Sequence, residues 1–184
     1  MCGTIVTRRR AMAAKATCRG GGDPCDNAGV FTAVFDRIVA ALAEACREVY
    51  GDRLVGVVVF GSVGRGLMRP DSDVDVLVVA EPLPSGRGAR MEEFEQVEAR
   101  LAPVVDAARR EGVTTWISPL VRTLEELDRS GFIVFDIACD GRVVYDPTGR
   151  MGAYLAGVRE RLAARGARRR SASRSSGAGF AGRR

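Results

Sequence analysis

"VVVFGSVGRGLMRPDSDVDVLVVA", Val57 to Ala80, decides how this chain is read. A glycine-rich turn with two arginines, Arg65 and Arg69, is followed by three aspartates at alternate positions, Asp71, Asp73 and Asp75, and the last of them enters an apolar run. Carboxylates at the mouth of a buried sheet are costly unless something positive meets them. The apolar runs on either side, "LVGVVVF" and "VDVLVVA", have the length and β-branched content of short buried strands. The stretch is therefore strand, glycine turn, aspartates, strand.

Three common motifs fail on required residues. A dinucleotide fingerprint needs a glycine where Val63 stands. A P-loop needs Lys and Ser/Thr after its last glycine, and Leu67 and Met68 follow Gly66. An EF-hand beginning at Asp71 needs glycine at its sixth position and glutamate at its twelfth, where this chain has Val76 and Pro82.

What remains is a spacing: Gly61-Ser62, ten residues, then Asp73-Val74-Asp75. Residues two apart in a strand point to the same face, roughly 6.6–6.8 Å apart, so Asp73 and Asp75 can share a metal site. A Gly61-Ser62 turn after a buried strand offers backbone N–H groups and a hydroxyl to phosphates, and Arg65 can add a charge-assisted contact. Asp71, in the turn "RPDSD", reads as a residue that bonds its local backbone.

"FGSVGRGLMRPDSDVDVLVV" resembles the hG[GS]…DxD motif of nucleotidyltransferases of the DNA polymerase beta superfamily. It is most similar to the minimal stand-alone members that include antitoxins paired with HEPN toxins, over about residues 30–165. The resemblance implies an α/β (α+β) fold, a small mixed sheet with flanking helices. It implies Gly61, Ser62 and Arg65 as nucleotide-binding residues and Asp73 and Asp75 as catalytic ligands of Mg²⁺ or Mn²⁺. The activity implied is transfer of a nucleoside monophosphate, AMP from ATP, to a hydroxyl of a protein or small molecule. The alternative implied is a degenerate nucleotide-binding domain acting as the antitoxin-like partner of a HEPN-type protein. The superfamily's third metal carboxylate lies on a later strand; here "VTTWISPLV" has none, with Ser118 near the expected place. Asp136 substitutes only if the fold brings it close.

Outward from this centre, helical and strand patterns alternate. Asp26 or Asn27 is placed to cap a helix whose apolar stripe runs Phe31, Val34, Phe35, Ile38, Leu42, Cys46 and Val49. A second amphipathic helix is expected over about residues 91–111, a strand over "VTTWISPLV" with Trp116 in the core or a groove, and a capping box at Thr123–Glu126. "FIVFDIACD" is open between helix and strand, "GRVVYDP" reads as a final strand, and a closing helix follows Gly149. The alternation indicates one compact α/β domain, residues 28–165. Residues 1–27 read as a disordered or mis-started leader, and 166–184 as a basic disordered tail able to bind RNA weakly through phosphates.

Composition narrows the chemistry. The 184 residues include no histidine, which excludes Ser-His-Asp and Cys-His catalysis and His-based metal sites. The five cysteines are odd in number and form no CxxC, so they read as free thiols. Acid–base and metal chemistry is left to carboxylates. The net charge of +5 conceals a division: residues 1–27 carry +3, 159–184 carry +8, and the body between them carries −6. No apolar run approaches the roughly 20 residues a bilayer requires, and the expected location is the cytoplasm.

Overall fold

The structure is a computed structural model that describes residues 24–164, with side chains described from Phe31 onward. Most of the expected leader and all of the expected tail lie outside these residues. The chain runs α1 (Pro24–Tyr50), a 3₁₀ turn (Gly51–Arg53), β1 (Leu54–Phe60), α2 (Gly61–Gly64), β2 (Val74–Ala80), α3 (Arg87–Arg110), β3 (Ile117–Arg122), α4 (Leu124–Asp128), α5 (Phe132–Asp140), β4 (Arg142–Tyr145) and α6 (Arg150–Ala164).

The four strands form a mixed sheet in the order β3-β2-β1-β4. β1 pairs antiparallel with β2 and β4, and β2 pairs parallel with β3. Helices cover both faces, which is why β1 and β2 read as near-continuous apolar runs. Val57, Val59, Val74, Val76 and Val78 pack with α1 and α3 in one core. Val58, Leu77 and Val79 pack with α4, α5 and α6 in the other. Each such side chain contributes roughly 1.5–3 kcal/mol relative to exposure. Asp75 shares the parity of Leu77 and Val79 and therefore lies on the α5 side of the sheet.

Several boundaries differ from the sequence reading. α1 begins at Pro24, so Asp26 and Asn27 lie inside the helix and do not cap it; a proline is well suited to a first helical turn, where its missing N–H has no partner to lose. α3 starts at Arg87, before the expected Met91. Arg90 in that first turn donates to the Pro84 carbonyl (2.8 Å) and to both Glu126 oxygens (2.7 and 2.8 Å), tertiary contacts with no local signature. β3 starts only at Ile117, because the preceding residues hold a loop: Thr114 N–H donates to Pro70 O (2.8 Å) and Thr115 Oγ1 to Ser72 O (2.7 Å). Pro119 is tolerated within β3 because the strand lies at the sheet's edge. Trp116 is 69% exposed and lines a groove along α3, one of the two placements expected for it. "FIVFDIACD" is a helix. No helix among the described residues is long and apolar enough to cross a membrane. Cys46 and Cys139 are free; burial pushes the Cys46 thiol up to about 12.

The expected capping box at Thr123 is present: its hydroxyl accepts from Glu126 N–H (3.2 Å) and Glu126 accepts from Thr123 N–H (3.1 Å). The Arg90 guanidinium bonded to Glu126 draws its carboxyl down to about 2. A depressed carboxyl stabilises the fold fully above its unfolded pKa, about 4.3, and that contribution is lost as pH falls toward 2. Glu126→Gln is therefore expected to cost roughly 1–2 kcal/mol near neutrality, a figure discounted for partial exposure. The difference from wild type should shrink as pH falls below about 4.3 and vanish only below about pH 2, as denaturant melts across that range would measure.

Candidate active site

The site forms where β1 ends and β2 begins. Antiparallel pairing places Phe60 opposite Asp75, which closes the ten-residue interval of the motif and puts Gly61 against the Asp75 carboxylate. Gly61 has φ +66°, and a Cβ there would overlap Asp75 Oδ2 and stand 3.1 Å from its Cγ. Glycine is thus required both for the left-handed backbone and for the carboxylate's approach. The one-turn helix α2 is pinned by a second glycine: a Cβ on Gly64 would lie 2.7 Å from Val59 O and 3.2 Å from Asp140 O. Its end is closed by Leu67 N–H donating to Ser62 O (2.9 Å) and Gly66 N–H to Val63 O (3.1 Å).

The loop into β2 is closed by Ser72, whose hydroxyl accepts from Arg69 N–H (2.8 Å). Asp71 is exposed and accepts two bonds from the Arg69 guanidinium (3.0 and 2.8 Å). Ser72 closes the turn, while Asp71 accepts from its own backbone, the local bond expected of it, and takes the Arg69 side chain as a further partner.

Asp75 is half-buried and Asp73 exposed. Burial pushes the Asp75 carboxyl above its usual range and the charge of Asp73 adds to this, while a hydrogen bond with Ser118 and the charge of Arg65 oppose it. The two carboxylates therefore sense each other, and the nearer one is unfavourably placed as an anion. Asp75 lines a cleft of about 260 Å³ with Phe60, Gly61, Arg65, Ile133, Asp136 and Asp140. Arg65 donates to Asp140 Oδ2 at 3.3 Å. Ser62, on α2, and Asp73 are not among the residues lining this cleft.

Parallel register sets Ser118 of β3 opposite Asp75, and among the described residues no three His, Cys, Asp or Glu side chains group so as to hold a metal. Asp136, from α5, lines the same cleft as Asp75 but belongs to no such group. Mg²⁺ commonly takes one or two carboxylates and completes its shell with substrate phosphates and water. The like-charged Asp73/Asp75 pair fits an ion held jointly with a triphosphate; it does not fit one held by protein groups alone.

A family model described as "Nucleotidyltransferase domain" matches residues 39–134, just over half of the chain and the whole of this site except Asp136 and Asp140. The chain belongs to the nucleotidyltransferase domain family. The enzyme class read from the motif is the class found. Protein adenylyltransferase MntA of Thermococcus cleftensis is 37% identical over 87 residues, 47% of this chain and 84% of that protein. A provisionally named protein adenylyltransferase of Methanocaldococcus jannaschii is 27% identical over 115 residues, 61% of this chain and 73% of that protein. A crystal structure of a toxin–antitoxin MntA–HpeT mutant is 16% identical, with a TM-score of 0.42, covering 66% of this chain and 87% of that one.

In this nucleotidyltransferase, the sequence reading missed Asp140 and Ile133. Their one available signal was the spacing Ile133, Asp136, Asp140, which means a shared face only if the segment is helical.

Proposed function

We propose that this nucleotidyltransferase transfers AMP from ATP to a hydroxyl of a protein or small-molecule acceptor. The observation that carries the proposal is the Asp75 carboxylate held against Gly61, with Asp73 two residues away and Arg65 in the same cleft. In this reading the Gly61-Ser62 turn and Arg65 orient the triphosphate, and Asp73 and Asp75 provide the carboxylates that would hold Mg²⁺. The ion, when bound, neutralises phosphate charge and aligns the entering and leaving oxygens. Arg65 exchanges part of its bond to Asp140 for phosphate oxygens, which match a guanidinium's fork. The names of the Thermococcus and Methanocaldococcus relatives support adenylyl transfer in particular.

One observation favours a second reading. With Ser118 facing Asp75 and no third carboxylate in the sheet, the domain could bind nucleotide without turning it over and act as the antitoxin-like partner of a HEPN-type protein. Incubation with Mg²⁺ and ATP labelled in the α- or the γ-phosphate separates the two. Transfer of α-label alone, with pyrophosphate released, is expected. Binding of Mg²⁺–ATP with no transfer would favour the silent partner, and transfer of γ-label would overturn the AMP assignment.

A further inference from the structure

We infer that α5 forms the acceptor side of the cleft and that Asp136 takes the proton from the acceptor hydroxyl, an inference that rests on the AMP-transfer reading above. α5 has two faces with different surroundings. Val134, Ile137 and Ala138 are buried in the second core, whereas Ile133, Asp136 and Asp140 line the cleft with Asp75 and Gly61. The helical repeat makes this division: positions i, i+3 and i+7 share a face.

Three carboxylates line this cleft, and two are engaged. Asp75 has Ser118 as its hydrogen-bond partner and lies in the fields of Asp73 and Arg65. Asp140 is bonded to Arg65, and only 12% of its side chain is exposed. Asp136 is exposed and has no hydrogen-bond or ion-pair partner among the described residues. Ser118, at the sheet position opposite Asp75, is a hydroxyl and a poor proton acceptor. The carboxylate left to receive a proton is therefore on the helix and not in the sheet.

In the step, the acceptor oxygen attacks the α-phosphorus of ATP and forms the new O–P bond. The bond from that phosphorus to the oxygen bridging to the β-phosphate breaks, and pyrophosphate leaves with the electron pair. The hydroxyl proton passes to the Asp136 carboxylate and from there to water.

The test compares wild type, Asp136→Asn and Asp136→Glu as full chains. Pyrophosphate release from Mg²⁺–ATP is measured with water and with cleared cell lysate as acceptor, and the thermal shift given by Mg²⁺–ATP is measured in parallel. Losing a general base lowers the rate roughly 100-fold or more. Asp136→Asn should show that loss while keeping the wild-type KM for ATP and the wild-type thermal shift, and Asp136→Glu should recover part of the rate. Release at the wild-type rate by Asp136→Asn overturns the inference. A lost thermal shift also overturns it, by placing Asp136 among the nucleotide contacts. A wild type that binds Mg²⁺–ATP but releases nothing removes Asp136 from catalysis and leaves nucleotide binding standing. A wild type that shows neither brings down the AMP-transfer reading itself.

Discussion

Asp75→Asn should abolish nucleotidyl transfer while leaving the ligand-free protein at least as stable as wild type. Asp75 pays for partial burial and for the neighbouring charge of Asp73, the two causes that raise its pKa. A raised carboxyl pKa means folding disfavours the ionised form, so the penalty is present above that pKa and is relieved on acidification. An amide removes the charge, keeps the shape and can still accept from Ser118. At roughly 6.7 Å along a strand and an effective dielectric near 20, the pair repels by about 2.5 kcal/mol. Exposure of Asp73 screens this to about 1 kcal/mol or less, a rise of up to roughly 2–4 °C in melting temperature. The opposite sign is expected with ligand. Mg²⁺–ATP at about 100 times its Kd stabilises wild type by roughly 2.7 kcal/mol, and the variant should gain almost none of it. Transfer should fall by about 10²–10³-fold or more. Melts with and without Mg²⁺–ATP, beside an α-label assay, measure both halves. A variant that gains as much from Mg²⁺–ATP as wild type would show that Asp75 holds no metal–nucleotide.

Gly61→Ala should separate activity from stability in another way. Its Cβ would intrude on the end of a flexible side chain, the Asp75 carboxylate, and not on backbone. The chain can therefore still fold, with Asp75 turned aside and alanine held at φ +66°, for about 1–2 kcal/mol. The site cannot absorb the same change. Displacing the carboxylate by about 1 Å is expected to cost roughly 100-fold in transfer and most of the Mg²⁺–ATP thermal shift. Gly66→Ala is the control: Gly66 also has positive φ but open space around a Cβ, so its backbone strain comes without the displaced carboxylate. Equal losses of activity in the two variants would mean that the Gly61–Asp75 approach has no special role.

The strands, the Thr123 capping box and the Gly61-Ser62/Asp73/Asp75 motif were legible because each is local. Alternating parity, a side chain reaching three residues ahead and a buried apolar run are all properties of neighbours in the chain. The helix over "FIVFDIACD" was not legible, since nine residues that are mostly apolar satisfy a buried strand as well as a helix. Its burial against β1 and α6, outside the segment, decides between them. The start of α3 depended in the same way on Arg90 meeting Glu126, 36 residues away.

The sequence alone therefore determined the chemistry at the sheet. With no histidine in the chain, carboxylates are the groups available for acid–base and metal chemistry, and the motif sets Asp73 and Asp75 two residues apart where β2 begins. Only the tertiary structure decided what faces them. The parallel β2–β3 register put a serine and not a carboxylate beside Asp75, and the packing of α5 brought Asp136 and Asp140 into the same cleft. The physical reason is that register and helix packing are set by burial summed over both faces of the sheet, and residues far apart in the chain contribute to that sum without leaving a mark in either local pattern.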